Sequence, residues 1–206
     1  MARFKRSKPS FKQQPTVLVI CEDTKSGKHY LEDASQHFRV NVQIEIIHCG
    51  KTDPKGIVKE AIGRQKKFDH VFCAIDRDTH QNFDEALNLA KTAEKVEIIV
   101  SYPCFEFWLL LHFGYNRKPY AAAGKYSPAD LVIKELRTHS CLKNYDKSNT
   151  QNIFKLMLEN GFTEARRIAP KVLAEAIASG EMNPSTQLHE LLDFFETLSK
   201  PQQITP

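Results

Sequence analysis

Two runs of core-type residues in this chain end in acids. VFCAI leads to Asp76 and Asp78, spaced one apart around Arg77, and TVLVIC leads to Glu22. Both runs read as strands, so these acids stand at strand carboxyl ends. If the two strands are neighbours in a parallel sheet, three carboxylates meet on the rim where open α/β sheets bind their ligands. Like charges gathered this way repel unless a cation neutralises them. Mg²⁺ (or Mn²⁺) suits hard oxygen donors, keeps several waters and is commonly held by one or two carboxylates plus substrate phosphates. The chain has no Cys or His pairs at zinc spacing. Two such metals would serve the attacking and leaving oxygens of a phosphodiester displacement. With one metal positioning a phosphate, Glu22 is free to act as acid or base. Acids also close strands as plain turn chemistry, and D-x-D before a polar loop fits that as well.

Other residues qualify as helpers, each with an ordinary alternative. Lys25 is a catalytic candidate because it lies just past Glu22, where it can meet a phosphate or the charge developing on it. Lys28 is placed similarly, and both also read as solvated surface lysines. Glu106, amid Phe105, Phe107 and Trp108, is either a further metal ligand or a first-turn acid complementing a helix dipole. Arg77 should point away from its flanking aspartates, because successive strand residues face opposite sides. His80 is a possible proton shuttle or an inert loop histidine. Trp108 reads as a packing residue, and Asn183, Ser185 and Thr186 as the cap of the last helix.

The elements that must position these groups follow from hydrophobic period. TVLVIC (16–21), NVQIEIIH (41–48), HVFCAID (70–76) and VEIIVS (96–101) read as strands. Helix-period segments separate them, with Ile57, Val58, Ala61 and Ile62 on one side of the second. Strands alternating with helices of roughly 10 to 15 residues give βαβ units and a parallel sheet. The fold class is therefore α/β. From residue 116 on, every periodic segment is helical. Expected starts are Pro103 as a first helical residue, then caps at Ser127, Asn149 and Asn183. The organisation expected is a basic flexible arm over 1–14, an α/β core over 15–115 and a helical extension packed on it over 116–206.

The net charge of +4 is misleading as a bulk property. Residues 1–14 hold five Lys or Arg and no acid, so taking those five from 29 leaves 24 basic residues against 25 acidic. The body is neutral and the arm carries the positive patch. Such an arm either contacts nucleic-acid phosphates without reading bases or is a solvated leader. The five cysteines lack a C-x-x-C pair and read as free thiols of a reducing compartment. No apolar leader is visible, and the run FWLLL is far shorter than a membrane span, so a cytoplasmic protein with no membrane contact is expected.

Beyond single motifs, an acid closing the first strand and a D-x-D closing a later one resemble the Toprim domain of topoisomerases, primases and OLD-family nucleases. More specifically, VLVICEDTKSGKHYLE, HCGKTDPKGIVKEA, FDHVFCAIDRDTHQNFDEAL, SYPCFEFWLLLHF and NPSTQLHELL, in that order, resemble the RloB-like family. The resemblance spans residues 16 to about 193. It implies a Toprim-like α/β fold and a Mg²⁺-dependent nuclease of prokaryotic antiphage or abortive-infection systems, acting on nucleic acid, DNA or RNA, with a probable ATPase partner. Glu22 matches the family's strand-end glutamate, and Asp76 and Asp78 its metal-binding pair. Many Toprim sequences place glycine directly after that glutamate. This chain has Asp23, then Thr24, Lys25, Ser26 and Gly27, leaving Asp23 as an alternative ligand and the metal count open. A non-catalytic binding subunit of the same fold is the competing expectation. A nucleotide phosphotransferase is disfavoured, since no G-x-x-x-x-G-K-[ST] or G-x-G-x-x-G loop follows a strand.

Overall fold

The computed structural model describes residues 15–38, 42–77, 82–148 and 150–200. The arm over 1–14, Asp78, His80 and Asn149 lie outside these described residues. Four strands, β1 (Val17–Cys21), β2 (Ile44–Ile47), β3 (His70–Asp76) and β4 (Val96–Tyr102), run parallel. A two-residue strand, β5 (Ser185–Thr186), pairs antiparallel with the end of β4. The sheet order is β2-β1-β3-β4-β5. β1 and β3 are therefore adjacent, with Ile20 opposite Cys73 and Cys21 opposite Ala74.

The crossovers are α1 (Ser26–His37), α2 (Pro54–Arg64) and α3 (Phe83–Ala90), and five more helices follow among the described residues. They are α4 (Glu106–Leu110), α5 (Pro128–Leu136), α6 (Ile153–Glu159), α7 (Phe162–Ser179) and α8 (Leu188–Ser199). The result is a mixed α/β protein with a mostly parallel five-stranded sheet, consistent with the Toprim-like expectation.

β1 is an unbroken apolar run, buried throughout, because both sheet faces are covered there. Alternate residues of β1 divide between two cores. Leu18 and Ile20, with Val71, Cys73 and Ile75 of β3, pack under α2 and α3. Val17, Val19 and Cys21, with Phe72 and Ile99, join a larger core built from α1 and the carboxyl-terminal helices. That core includes Trp108, which is fully buried and meets Tyr30 edge-on at 6.4 Å, so it is a packing residue.

Local side-chain caps account for the starts of α2 and α5. Asp53 caps α2 by accepting from the Gly56 amide at 2.8 Å, with Pro54 in the first turn. Ser127 and Asp130 form a reciprocal capping box on α5. Two expected starts are corrected. β4 runs on to Tyr102 and α4 begins at Glu106, so Pro103 precedes the helix instead of opening it. The stretch NPSTQ is only in small part a helix cap. Asn183 exchanges hydrogen bonds with the Tyr120 backbone, Ser185 and Thr186 pair with β4, and α8 starts at Leu188, whose amide donates to Thr186 Oγ1 at 3.2 Å. A β ladder at the end of β4 thus takes up the residues expected as caps, and Thr186 alone of the three also serves the helix start.

Two contacts tie the start of α7 to the turn after α4, Gly161 against the His112 carbonyl and the Phe162 ring 6.2 Å from the His112 ring. Gly161 has φ of 95°, and a Cβ there would lie 2.0 Å from the His112 carbonyl oxygen. Gly161→Ala should therefore destabilise the protein by about 3 kcal/mol or more, read as a lower denaturant midpoint. His112 is buried, and Nδ1 lies 3.0 Å from the Trp108 carbonyl. Burial holds its imidazole neutral down to about 4. Since the unfolded ring protonates near 6.5, the unfolded state binds more protons between these values. Stability from this group is complete above that range and falls as pH drops toward 4. Urea midpoints between pH 7 and 4 should decline more steeply in wild type than in His112→Phe, by up to about 3 kcal/mol.

Candidate active site

The parallel pairing of β1 with β3 brings their acids together. The Glu22 amide continues the ladder by donating to the Ala74 carbonyl at 3.0 Å. Its carboxylate then turns over the end of β3, where Oε2 accepts from the Asp76 amide at 2.8 Å. The sheet register places Asp76 opposite Ser101 of β4. Ser101 Oγ lies 2.9 Å from Thr186 Oγ1, so β5 closes the far side of this edge. Cys21, Glu22, Asp23, Asp76, Ser101 and Leu188 are among the residues that line one cleft of about 30 Å³. That volume suits an ion or a few waters and is too small for a nucleobase.

Arg77 behaves as strand alternation requires. Its guanidinium sits 4.5 Å from the centre of the Phe83 ring on α3, away from Asp76. Asp76 faces the larger core at the bottom of the cleft. Burial, with Glu106 and Glu22 nearby, pushes its carboxyl well above the ordinary carboxylate range. A charged Asp76 is therefore held against opposing forces that a cation would relieve.

Glu106 is fully buried at the first turn of α4. Tyr145 donates its hydroxyl to Oε1 at 2.9 Å, and Lys147 Nζ lies 3.1 Å from Oε2. Partial burial opposes the Lys147 charge, but Glu106, Cys104 and Asp76 outweigh it and raise the ammonium above its ordinary range. Burial, aided by Glu106, likewise raises the Tyr145 phenol. Neither residue stood out in the sequence. Both lie in a polar loop about 40 positions from Glu106, with no local pattern to mark them.

Asp23 has a different task from the one open to it as a ligand. Its Oδ2 accepts from Ser26 Oγ and from the Gly27 amide at 3.0 Å, while Oδ1 accepts from the Lys28 amide at 3.2 Å. The side chain thus caps the amino end of α1 beside Glu22. The signal was present in the sequence as an Asp a few residues before S-G at a helix start. Lys25 is exposed at the same helix mouth. Lys28 is engaged by Glu32 at 2.5 Å.

Among the described residues, no three His, Cys, Asp or Glu side chains converge as a ready metal cluster. The donor chemistry at the cleft nonetheless fits Mg²⁺, which commonly takes one or two carboxylates and fills its remaining positions with water and phosphate. Glu22 and Asp76 are hard oxygen donors of that kind. The neighbouring thiols, Cys21 and Cys104, are buried and raised well above the usual thiol range, first by burial, which disfavours the thiolates a soft metal needs.

The capping role of Asp23 can be measured. Asp23→Ala should cost about 1–2 kcal/mol in unfolding free energy, and Asp23→Asn much less, because the amide oxygen still accepts.

A family model described as RloB-like protein matches residues 17–195. Neither the curated proteins nor the solved structures searched yield a match to this chain. The match covers both the sheet that carries the acids and the helices that close over it, and the chain belongs to the RloB-like protein family.

Proposed function

We propose that this protein is a divalent-cation-dependent nuclease that hydrolyses phosphodiester bonds of DNA or RNA. The observation that carries the reading is the Asp76 N–H to Glu22 carboxylate bond at 2.8 Å, which fixes two strand-end acids side by side at the ligand-binding edge of a parallel sheet. The ligands proposed for Mg²⁺ (or Mn²⁺) are Glu22 and Asp76, joined by Asp78, which lies outside the described residues. Glu106, whose two oxygens are taken by Tyr145 and Lys147, supports the site from below in this reading. A bound cation would polarise the scissile phosphate and promote ionisation of attacking water.

The chain's own groups have separate tasks. Asp76 and Glu22 hold the oxygen donors in register, since a backbone amide restrains one carboxylate against the other. Lys25, exposed at the mouth of α1, is proposed to meet the substrate phosphate. In this reading the substrate is held at its phosphate backbone, which carries no sequence information.

The setting comes from the family resemblance. It supports a role in prokaryotic antiphage or abortive-infection defence, alongside an ATPase partner. A cytoplasmic location agrees with five free cysteines and with the finding that no described helix is long and apolar enough to cross a membrane.

The test is end-labelled cleavage of plasmid, single-stranded DNA and a tRNA pool with Mg²⁺, Mn²⁺ or EDTA. Glu22→Gln and Asp76→Asn should each lower metal-dependent cleavage by about 100-fold and weaken Mn²⁺ binding by about tenfold or more. Asp76→Asn should also raise Tm by about 2–4 °C in EDTA, because it removes a charge opposed by burial and by neighbouring acids. Cleavage undiminished in both variants would refute the assignment. A folded wild type that binds nucleic acid without cutting it in any metal would instead establish the non-catalytic subunit.

A further inference from the structure

We infer that Glu106, Tyr145 and Lys147 form an anchor that fastens the 144–148 loop against the acid site, making Glu106 a positioning residue with no metal of its own and Lys147 the site's built-in counter-charge. The inference rests on the nuclease reading for its catalytic consequence only.

A carboxylate with no exposed surface must have its charge met inside the protein. Glu106 meets this with two residues of one short loop, a hydrogen bond from the Tyr145 hydroxyl at 2.9 Å and an ion pair with the Lys147 ammonium at 3.1 Å. The loop is held from other sides as well. Arg137 of α5 donates to the Tyr145 carbonyl at 2.8 Å, and the Ser148 amide donates to Asp146 at 2.7 Å. Just beyond, Thr150 Oγ1 lies 3.2 Å from His29 Nδ1 on α1. Fastening from α1, α4 and α5 gives the loop one position relative to the sheet edge.

Lys147 has a side chain close to half exposed, yet its ammonium reaches the buried carboxylate. It also acts on Asp76 through space, in opposition to Glu106, Glu22 and Asp23. A substrate phosphate entering this cleft would meet a cluster of acids. Lys147 cancels the charge of Glu106 and leaves the Glu22 and Asp76 pair to face the cation. The geometry therefore separates two carboxylates that hold the cation from one that holds the loop.

The deciding experiment compares Glu106→Gln, Tyr145→Phe, Lys147→Met and Lys147→Arg with wild type by amide hydrogen exchange in EDTA and by Mn²⁺ titration calorimetry. Expected are faster exchange across 144–148 in Glu106→Gln and Lys147→Met, unchanged exchange in β1 and β3, and near-wild-type protection in Lys147→Arg. Mn²⁺ affinity should stay within about twofold of wild type in Glu106→Gln, in contrast to the loss expected of a ligand variant. In cleavage, Lys147→Met should lower kcat about tenfold at constant KM, with recovery in Lys147→Arg. Unchanged loop exchange in both Glu106→Gln and Lys147→Met would overturn the anchor. A tenfold or greater loss of Mn²⁺ affinity in Glu106→Gln would overturn it too, making that residue a ligand. Exchange needs neither metal nor turnover, so a wild type that neither binds Mn²⁺ nor cuts nucleic acid would end the nuclease reading while the anchor is still decided.

Discussion

The parallel pairing of β1 with β3 is the constraint on which the site depends. Because Cys21 stands opposite Ala74, the residues just beyond meet at the carboxyl edge, and the Asp76 amide finds the Glu22 carboxylate. A register shift of one residue would turn Asp76 toward α2 and α3 and away from the cleft. That register is enforced by burial on both faces. Val19, Cys21 and Phe72 belong to one core, while Leu18, Ile20 and Cys73 belong to the other. The apolar interior thereby dictates where the acids stand.

Holding acids at such an edge opposes folding, and the surrounding structure limits the cost. Asp23 caps α1, where three donors meet its charge, and it remains the last and smallest of the acids acting on Asp76. Glu106 accepts a hydrogen bond from a phenol and is ion-paired with an ammonium. Asp76 is raised well above the ordinary carboxylate range, by burial and then by its acidic neighbours. A perturbed carboxyl at a sheet's carboxyl edge marks a candidate functional group.

What the sequence made legible was whatever is local or periodic. The central strands β1 and β3 announce themselves because two-sided burial demands apolar runs, and the edge strand β2 shows instead as an alternating one. Ser127 and Asp53 signal their caps within a few residues. Glu22 and Asp76 were visible as acids ending apolar runs, and Arg77 faces away from Asp76 as alternation requires. The remainder depends on contacts distant in sequence. Ser185 and Thr186 look like cap residues until β4 is present to pair with them. Tyr145 and Lys147 carry no local pattern, since their partner Glu106 lies on another element.

Those long-range contacts explain why the helical half cannot be treated as a cover alone. The α/β units supply Glu22 and Asp76, but the cleft they open is bounded by Leu188 and by Ser101, itself bonded to Thr186. Trp108, Phe154 and Phe195 bury the same face of the sheet that presents Asp76. Glu106 opens the helix that begins this second half, and it draws a loop from still further along the chain back to the acids. Without that half, the Asp76 face of the sheet would lie open to water and the acids would lose their buried counter-charge. The cleft is thus built from the sheet edge and the helices together, and the family match likewise runs through both.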